Sequence, residues 1–199
     1  MEYQSVAKYE GEMTMIKRLK KEKAVLVVID FQEKLMPAMY DREDVEDKTA
    51  RLIRGARAME VPVVVTQQYT RGLGETVPVV AEALGEYQAI DKVTFSCCDN
   101  EEFRGAVEQA KTDGRTSVII TGCETHICVE QTALDLMEMG FDVFVAADCV
   151  QSRTRENREI SLRRMEAAGA VISSYEGLLY DMLKSAKAPE FKAISAIVK

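Results

Sequence analysis

Three features of the chain predict a single doubly wound α/β domain, a mostly parallel sheet between helices in a Rossmann-like three-layer arrangement. Apolar runs too continuous for half-exposed strands alternate with stretches that carry apolar residues at helical spacing. Turn and cap residues punctuate the junctions, with Asp113-Gly114 before one run and Gly140 and Gly169 after two helical stretches. The length of 199 residues, undivided by a low-complexity linker, charge block or internal repeat, suits one domain with a self-sufficient core.

The elements follow in order. Ala24–Ile29 (AVLVVI) reads as a strand buried on both faces, and helical periodicity occupies Asp44–Met59. Pro62 introduces the next apolar run, VPVVVT, after which QQYTRGLGETV reads as a loop. Pro78–Leu84 is a short helix and Tyr87–Val93 a weaker strand. Asp99 or Asn100 can cap a helix from Glu101 to about Lys111, whose first turn is acidic. A strand Ser117–Thr121 and a helix Ile127–Met139 follow, the latter stopped by Gly140. Strand Asp142–Ala146, helix Arg155–Ala168 and strand Ala170–Ser173 continue the alternation. Helices near Tyr175–Lys184 and Glu190–Val198 complete it. Residues 1–20 read as an extension or oligomer arm ahead of a domain spanning 21–199.

Composition narrows the setting. The N-terminus MEYQSVAKYEGEM lacks the apolar core of a secretory signal, and no apolar stretch approaches the roughly 20 residues of a membrane span. A net charge of −7 argues against a nucleic-acid partner, because phosphate binding needs a basic surface. The five cysteines are odd in number and lack framework spacing, which fits reduced thiols and a cytoplasmic location. The ten methionines fall mostly on helical faces, as core filler.

In an open α/β sheet, ligands bind beyond the carboxyl ends of the strands. Three chemically complementary residues fall at that edge: Asp30 where the first strand ends, Lys92 near the end of the weaker one and Cys128 in the turn after the run TSVIITG. Near a helix start, the Cys128 thiol is expected to ionise below the free value of about 8.5. An Asp between thiol and cation can take the thiol proton and return it to a leaving group, while the Lys favours both anions. Each residue alone has an ordinary structural reading: a buried thiol, a loop cap, a surface ammonium. Together they suggest a nucleophilic site.

The segments VLVVIDFQEKLMP, VPVVVTQQYTRGLGETVPVV, DKVTFSC, GCETHICVEQTALDLMEMGFDVFVAADCVQSR and RRMEAAGAVISSYEGLLYDML resemble, in colinear order, the isochorismatase-like cysteine hydrolase superfamily. The closest likeness, shared by the tail PEFKAISAIVK, is to the isochorismatase domain-containing protein subgroup. The resemblance implies an Asp30, Lys92, Cys128 catalytic triad and a cis peptide between Cys123 and Glu124. It also implies an oxyanion hole from the backbone N–H groups of Glu124 and Cys128, and assembly as a homo-oligomer, a dimer or larger. The metal-binding nicotinamidase branch is disfavoured. His126 is the only histidine, TQQYTRGLGETV contains neither His nor Asp, and no C-x₂-C pair offers a thiolate site. No metal and no cofactor are expected.

Gln68, Tyr69, Phe95 and His126 are candidate pocket residues. His126 reads as stabilising its turn or lining the pocket rim, since residues i and i+2 of a helix do not face each other. Arg153 and Arg155 look like a solvated helix start, with a place near a partner subunit as the alternative, and the adjacent Cys97 and Cys98 look like pocket-lining or inert thiols rather than a redox pair. A nucleotide- or flavin-binding protein lacks support, as neither G-x-G-x-x-G nor G-x-x-x-x-G-K-[ST] occurs. A non-catalytic interaction protein with a retained pocket is the other rival. The expected function is hydrolysis of a C–N bond in a small amide or carbamoyl substrate through a covalent intermediate at Cys128. Isochorismate-type ether hydrolysis is the alternative.

Overall fold

A computed structural model describes residues 16–199. The expected extension therefore lies outside the described residues as far as residue 15. Residues 17–19 pack onto the domain: Leu19 is buried, its N–H donates to Asp181 at 3.0 Å, and Lys17 reaches Asp142 and the Gly169 carbonyl.

Six strands form one parallel sheet: β1 (Ala24–Ile29), β2 (Val63–Gln68), β3 (Ala89–Lys92), β4 (Ser117–Cys123), β5 (Asp142–Gln151) and β6 (Val171–Ser173). Their spatial order is β3-β2-β1-β4-β5-β6. The chain winds outward from β1 to β3, then returns to lay β4 against the other side of β1. The order reverses between β1 and β4, which opens a crevice at their carboxyl ends. Every residue of β1 and of β4 is buried, as expected for strands covered on both faces.

Side-chain alternation along β1 divides the core in two. Ala24, Leu26 and Val28 pack with α1 (Arg42–Ala58), α3 (Pro78–Leu84), α7 (Tyr175–Leu183) and α8 (Phe191–Val198). Val25, Val27 and Ile29 pack with α4 (Glu101–Thr112), α5 (Glu130–Glu138) and α6 (Arg155–Ala167). Each large side chain removed from water in these layers contributes about 1.5–3 kcal/mol. Asn100, rather than Asp99, caps α4 by accepting from the Phe103 N–H. Gly140 and Gly169 take positive φ beyond α5 and α6.

The departures from expectation are local. Thr70–Leu73, within the expected loop, forms a single helical turn, α2. The weak strand shortens to Ala89–Lys92. Strand β5 runs on to Gln151 through a register shift against β4, where the Thr121 hydroxyl donates to the Cys149 carbonyl at 2.5 Å. The expected helix at Ile127 begins instead as a π-helical turn, Thr125–Val129, with α5 proper starting at Glu130.

Gly122 explains how closely β4 approaches β1. It sits at φ 152°, and a Cβ there would lie 2.5 Å from the Ile29 Cβ and 2.6 Å from the Ile29 carbonyl oxygen. Gly105, on the exposed face of α4, has nothing within 4 Å of such a Cβ. Gly122→Ala is therefore expected to lower unfolding stability by roughly 2–4 kcal/mol through overpacking and strain. Gly105→Ala should raise it by about 0.5–1 kcal/mol. Urea titration of the two variants checks the opposite signs.

Candidate active site

Asp30 follows β1 at φ 56°, a left-handed conformation that aspartate tolerates better than most side chains. Its N–H bonds the Thr66 carbonyl at 3.2 Å, so the strand ladder with β2 extends just far enough to fix the turn. The carboxylate is fully buried. One oxygen accepts from Thr66 Oγ1 at 2.7 Å and the other from Lys92 Nζ at 2.7 Å.

Lys92 ends β3, two strands away, and its side chain crosses the end of β2 to reach Asp30. Both side chains of the pair are 0% exposed. The ammonium also donates to Gln68 Oε1 at 2.7 Å and the Thr94 carbonyl at 3.2 Å, with the Phe95 carbonyl at 3.5 Å. Burial pushes Lys92 down, but the surrounding negative groups, Asp30 foremost, outweigh that and hold it above its usual range.

Cys128 lies in the π-helical turn, 6% exposed, on the β1 side of the sheet where α5 packs. Its thiol lies close enough to feel the charges of the Asp30 carboxylate and the Lys92 ammonium, while the Asp30 oxygens take their hydrogen bonds from Thr66 and Lys92. The fold thus brings together all three residues expected at the sheet edge. The expected easy ionisation is corrected. Burial, then the negative Asp30, push the thiol up to about 12, and Lys92 only partly offsets this. The helix-dipole argument fails because desolvation is larger than the field of a helix end, and α5 proper starts two residues later.

The other expected contacts divide. Gln68 holds Lys92 with Oε1 and the Val93 carbonyl with Nε2, while Gln32 clamps the Gln68 backbone through both its amide atoms. Gln32, three residues beyond β1, belongs to no motif or periodicity that the sequence alone displays. Tyr69 and Phe95 are more than half exposed and stand on the rim. His126 Nδ1 pairs with Ser152 Oγ at 3.0 Å, tying the turn that carries Cys128 to the end of β5. Cys97 is buried beside Thr66, and its thiol lies close enough to feel both Asp30 and Lys92. Burial pushes the Cys97 and Cys98 thiols up to about 12 as well.

Around the thiol, the Cys123–Glu124 peptide is cis. The Glu124 N–H has no backbone acceptor among the described residues, and the Cys128 N–H has none outside its own turn. Thr125 Oγ1 is the one buried side-chain polar atom without a partner among the described residues. Among these residues no group of three His, Cys, Asp or Glu is placed to hold a metal ion. No helix there is long and apolar enough to cross a membrane. A separate depression of about 390 Å³, lined by Arg57, Glu60, Pro62 and Tyr87, lies at the opposite end of β2, away from Cys128.

A buried carboxylate–ammonium pair near a thiol at the switch point of a parallel sheet makes this edge the candidate active site. The chain belongs to the isochorismatase family: the Isochorismatase domain model matches residues 24–176. Among similar proteins is the secreted isochorismatase effector Isc1 of Phytophthora sojae, 37% identical over 92% of this chain and 87% of that one. Another is isochorismatase domain-containing protein 1 of Salmo salar, 34% identical over 96% of this chain, which spans 66% of that relative's length. The structure of the Caenorhabditis elegans MAR1 ribonuclease superposes with a TM-score of 0.85 at 33% identity, covering 92% of each chain. YcaC from Pseudomonas aeruginosa, solved with hexane-2,5-diol and covalent acrylamide, gives 0.85 at 27% identity over 92% of this chain and 91% of that one. Escherichia coli YcaC, described as an octameric hydrolase of unknown specificity, gives 0.84 at 26% over 92% and 90%.

Two outcomes are expected from the buried charges. Lys92→Met strands the Asp30 carboxylate and should cost about 3–5 kcal/mol, while the double variant Asp30→Asn/Lys92→Met recovers part of the loss. Denaturant titration of the three proteins measures the coupling. Stability should also fall as pH rises from about 9 toward 12. The unfolded thiols ionise near 9.0 while Cys97, Cys98 and Cys128 keep their protons to about 12 in the fold. The unfolded state then binds fewer protons, so each thiol removes about 1.4 kcal/mol per pH unit in that window. Urea midpoints across alkaline pH, with Cys98→Ala flattening the slope, check the sign.

Proposed function

We propose that this isochorismatase-family hydrolase cleaves a C–N bond in a small amide or carbamoyl substrate, with Cys128 as the nucleophile. The observation that carries the reading is a buried thiol near a carboxylate that is itself locked to Lys92, at the switch point of the sheet. Ionising a thiol with a pKa of about 12 at pH 7 costs about 7 kcal/mol. A standing thiolate is therefore a minor species, and the proton has to leave during attack.

In the proposed reaction Sγ adds to the substrate carbonyl carbon as its proton passes to Asp30. The oxyanion is held by the N–H groups of Glu124 and Cys128. Collapse expels the amine, which takes the proton from Asp30, and leaves a thioester. Water then attacks, giving a proton to Asp30 that returns to sulfur as the acid departs. Lys92 stays protonated throughout and keeps Asp30 oriented and charged between transfers. Gln68 fixes Lys92, while Tyr69, Phe95 and His126 line the approach. The chemistry needs neither metal nor cofactor.

The covalent acrylamide in P. aeruginosa YcaC supports a reactive site able to admit a small amide. Ether cleavage of the isochorismate type stays the alternative, but a thiol so placed suits acyl transfer better. The ribonuclease named for the C. elegans neighbour transfers poorly to a chain of net charge −7. Homo-oligomer formation, as a dimer or larger, is supported by exposed Tyr69, Val93 and Phe95 on one rim and by the octamer described for E. coli YcaC. The cytoplasmic placement rests on five free thiols, against the secreted effector named in P. sojae.

The test is mass spectrometry of the native protein incubated with acrylamide and then with a panel of amides and carbamoyl compounds. One adduct confined to Cys128, with turnover of a panel member abolished at least a thousandfold in a folded Cys128→Ala variant, is expected. Activity near wild type in that variant would remove the nucleophile. Labels that reach all five cysteines only after denaturation would instead favour a non-catalytic protein.

A further inference from the structure

Cys97 reads in the sequence as a pocket-lining or inert thiol, yet the fold ties it to the candidate site from two sides. Its thiol lies 3.8 Å from Thr66 Oγ1, and that hydroxyl donates to the Asp30 carboxylate at 2.7 Å. A threonine hydroxyl has one hydrogen, and here Asp30 takes it, so Thr66 can only accept from the Cys97 S–H. The Cys97 backbone N–H donates to Thr132 Oγ1 at 2.9 Å. Thr132 stands four residues, about one helical turn, beyond Cys128. Cys97, Thr66, Thr132 and Asp30 are all buried. A chain of contacts thus runs from the helix that follows Cys128 through Cys97 and Thr66 to Asp30.

In the proposed reaction Asp30 alternates between carboxylate and carboxylic acid. Two side chains bond it among the described residues, Thr66 on one oxygen and Lys92 on the other. An ammonium has donors and no acceptor, so Lys92 can serve the ionised form alone. A hydroxyl can serve both. Thr66 can donate to the carboxylate, or accept from the acid while pointing its own hydrogen at the Cys97 sulfur, a weak acceptor already in place. The reversal exchanges hydrogen bonds only, and each residue of the chain keeps its own hydrogen.

We infer that Thr66 and Cys97 are positioning residues of the acid–base step. The Thr66 hydroxyl reverses its bond to Asp30 as the carboxylate takes and returns the Cys128 proton, and the Cys97 sulfur receives the reversed hydroxyl. The inference rests on the reading of Cys128 as nucleophile and Asp30 as its base. It adds two buried residues that act through Asp30 and not on the substrate.

The test follows alkylation of Cys128 by iodoacetamide in the native protein, resolved by peptide, from about pH 6 to about pH 9. Wild type is compared with Thr66→Val, Thr66→Ser, Cys97→Ala and Cys97→Ser. Valine keeps the shape of threonine but deletes the hydroxyl, which leaves the buried carboxylate one donor short and no longer aligned. The Thr66→Val rate should fall about tenfold at the acid end and climb with pH, as the thiol must then ionise into solvent. Thr66→Ser should restore the flat profile of wild type. Cys97→Ala should slow labelling about fivefold, the loss of one weak hydrogen bond. Cys97→Ser should recover most of that, although serine is smaller than cysteine and so cannot act by filling space. Adding Thr66→Val to Asp30→Asn should change the rate less than about twofold, because Thr66 acts through Asp30. A flat Thr66→Val profile, or a loss that serine restores at neither position, would show structural support alone and overturn the inference while Cys128 stays labelled. Should Thr66→Val not fold, the Cys97 variants decide: a Cys97→Ala rate equal to wild type overturns the inference. Absence of any label on Cys128 in native wild type would instead overturn the reading of the nucleophile on which it rests.

Discussion

A carboxylate and an ammonium, both without solvent, share a bond at the end of β1, and the architecture of the site answers to that pairing. Neither charge is tolerable alone in such a place. Lys92 must come from β3, across the end of β2, so the Thr66 and Gln68 side chains are recruited to fill the remaining donor and acceptor sites. Gln32 in turn fixes Gln68. The pair is therefore embedded in a network in which each member is satisfied, the condition under which a buried ionic group holds a unique geometry.

The same pairing sets the chemistry of the thiol. An ammonium bonded to a carboxylate lends little of its field to a third group, while the carboxylate and the surrounding apolar wall disfavour a second anion. The resting site holds one negative and one positive charge with a neutral thiol against them. In the proposed reaction such a thiol is activated only when an electrophile arrives to receive the sulfur. That arrangement keeps the thiol from reacting indiscriminately, and it makes Asp30 the group on which the proposed reaction turns.

The layers of the fold were legible because strands buried on both faces leave a plain mark: AVLVVI and the run from Ser117 have no polar side to mistake. The doubly wound class then placed Asp30, Lys92 and Cys128 on one edge without further information. What stayed hidden depends on packing between distant segments. The π-helical turn at Thr125–Val129, the register shift in β5 and the clamp of Gln32 on Gln68 leave no periodicity to read. The Arg153–Glu124 bond joins residues 29 positions apart and was invisible for the same reason. The thiol was misjudged for a related cause, since a dipole can be inferred from position in a helix but burial cannot.

The central claim is that the Cys128 proton is transferred to Asp30 rather than lost to solvent beforehand. It is tested most directly by the pH dependence of Cys128 alkylation, resolved by peptide, in wild type and Asp30→Asn. The account predicts a rate in wild type that is flat from about pH 6 to about pH 9, because proton transfer within the pair costs no net proton. In Asp30→Asn the rate should instead climb with pH until it reaches the pKa of a thiol freed from the Asp30 charge, because the thiol must then ionise into solvent before it attacks. A titration of the rate centred below pH 8 and unchanged in Asp30→Asn would show a thiolate standing on its own, and would contradict the account.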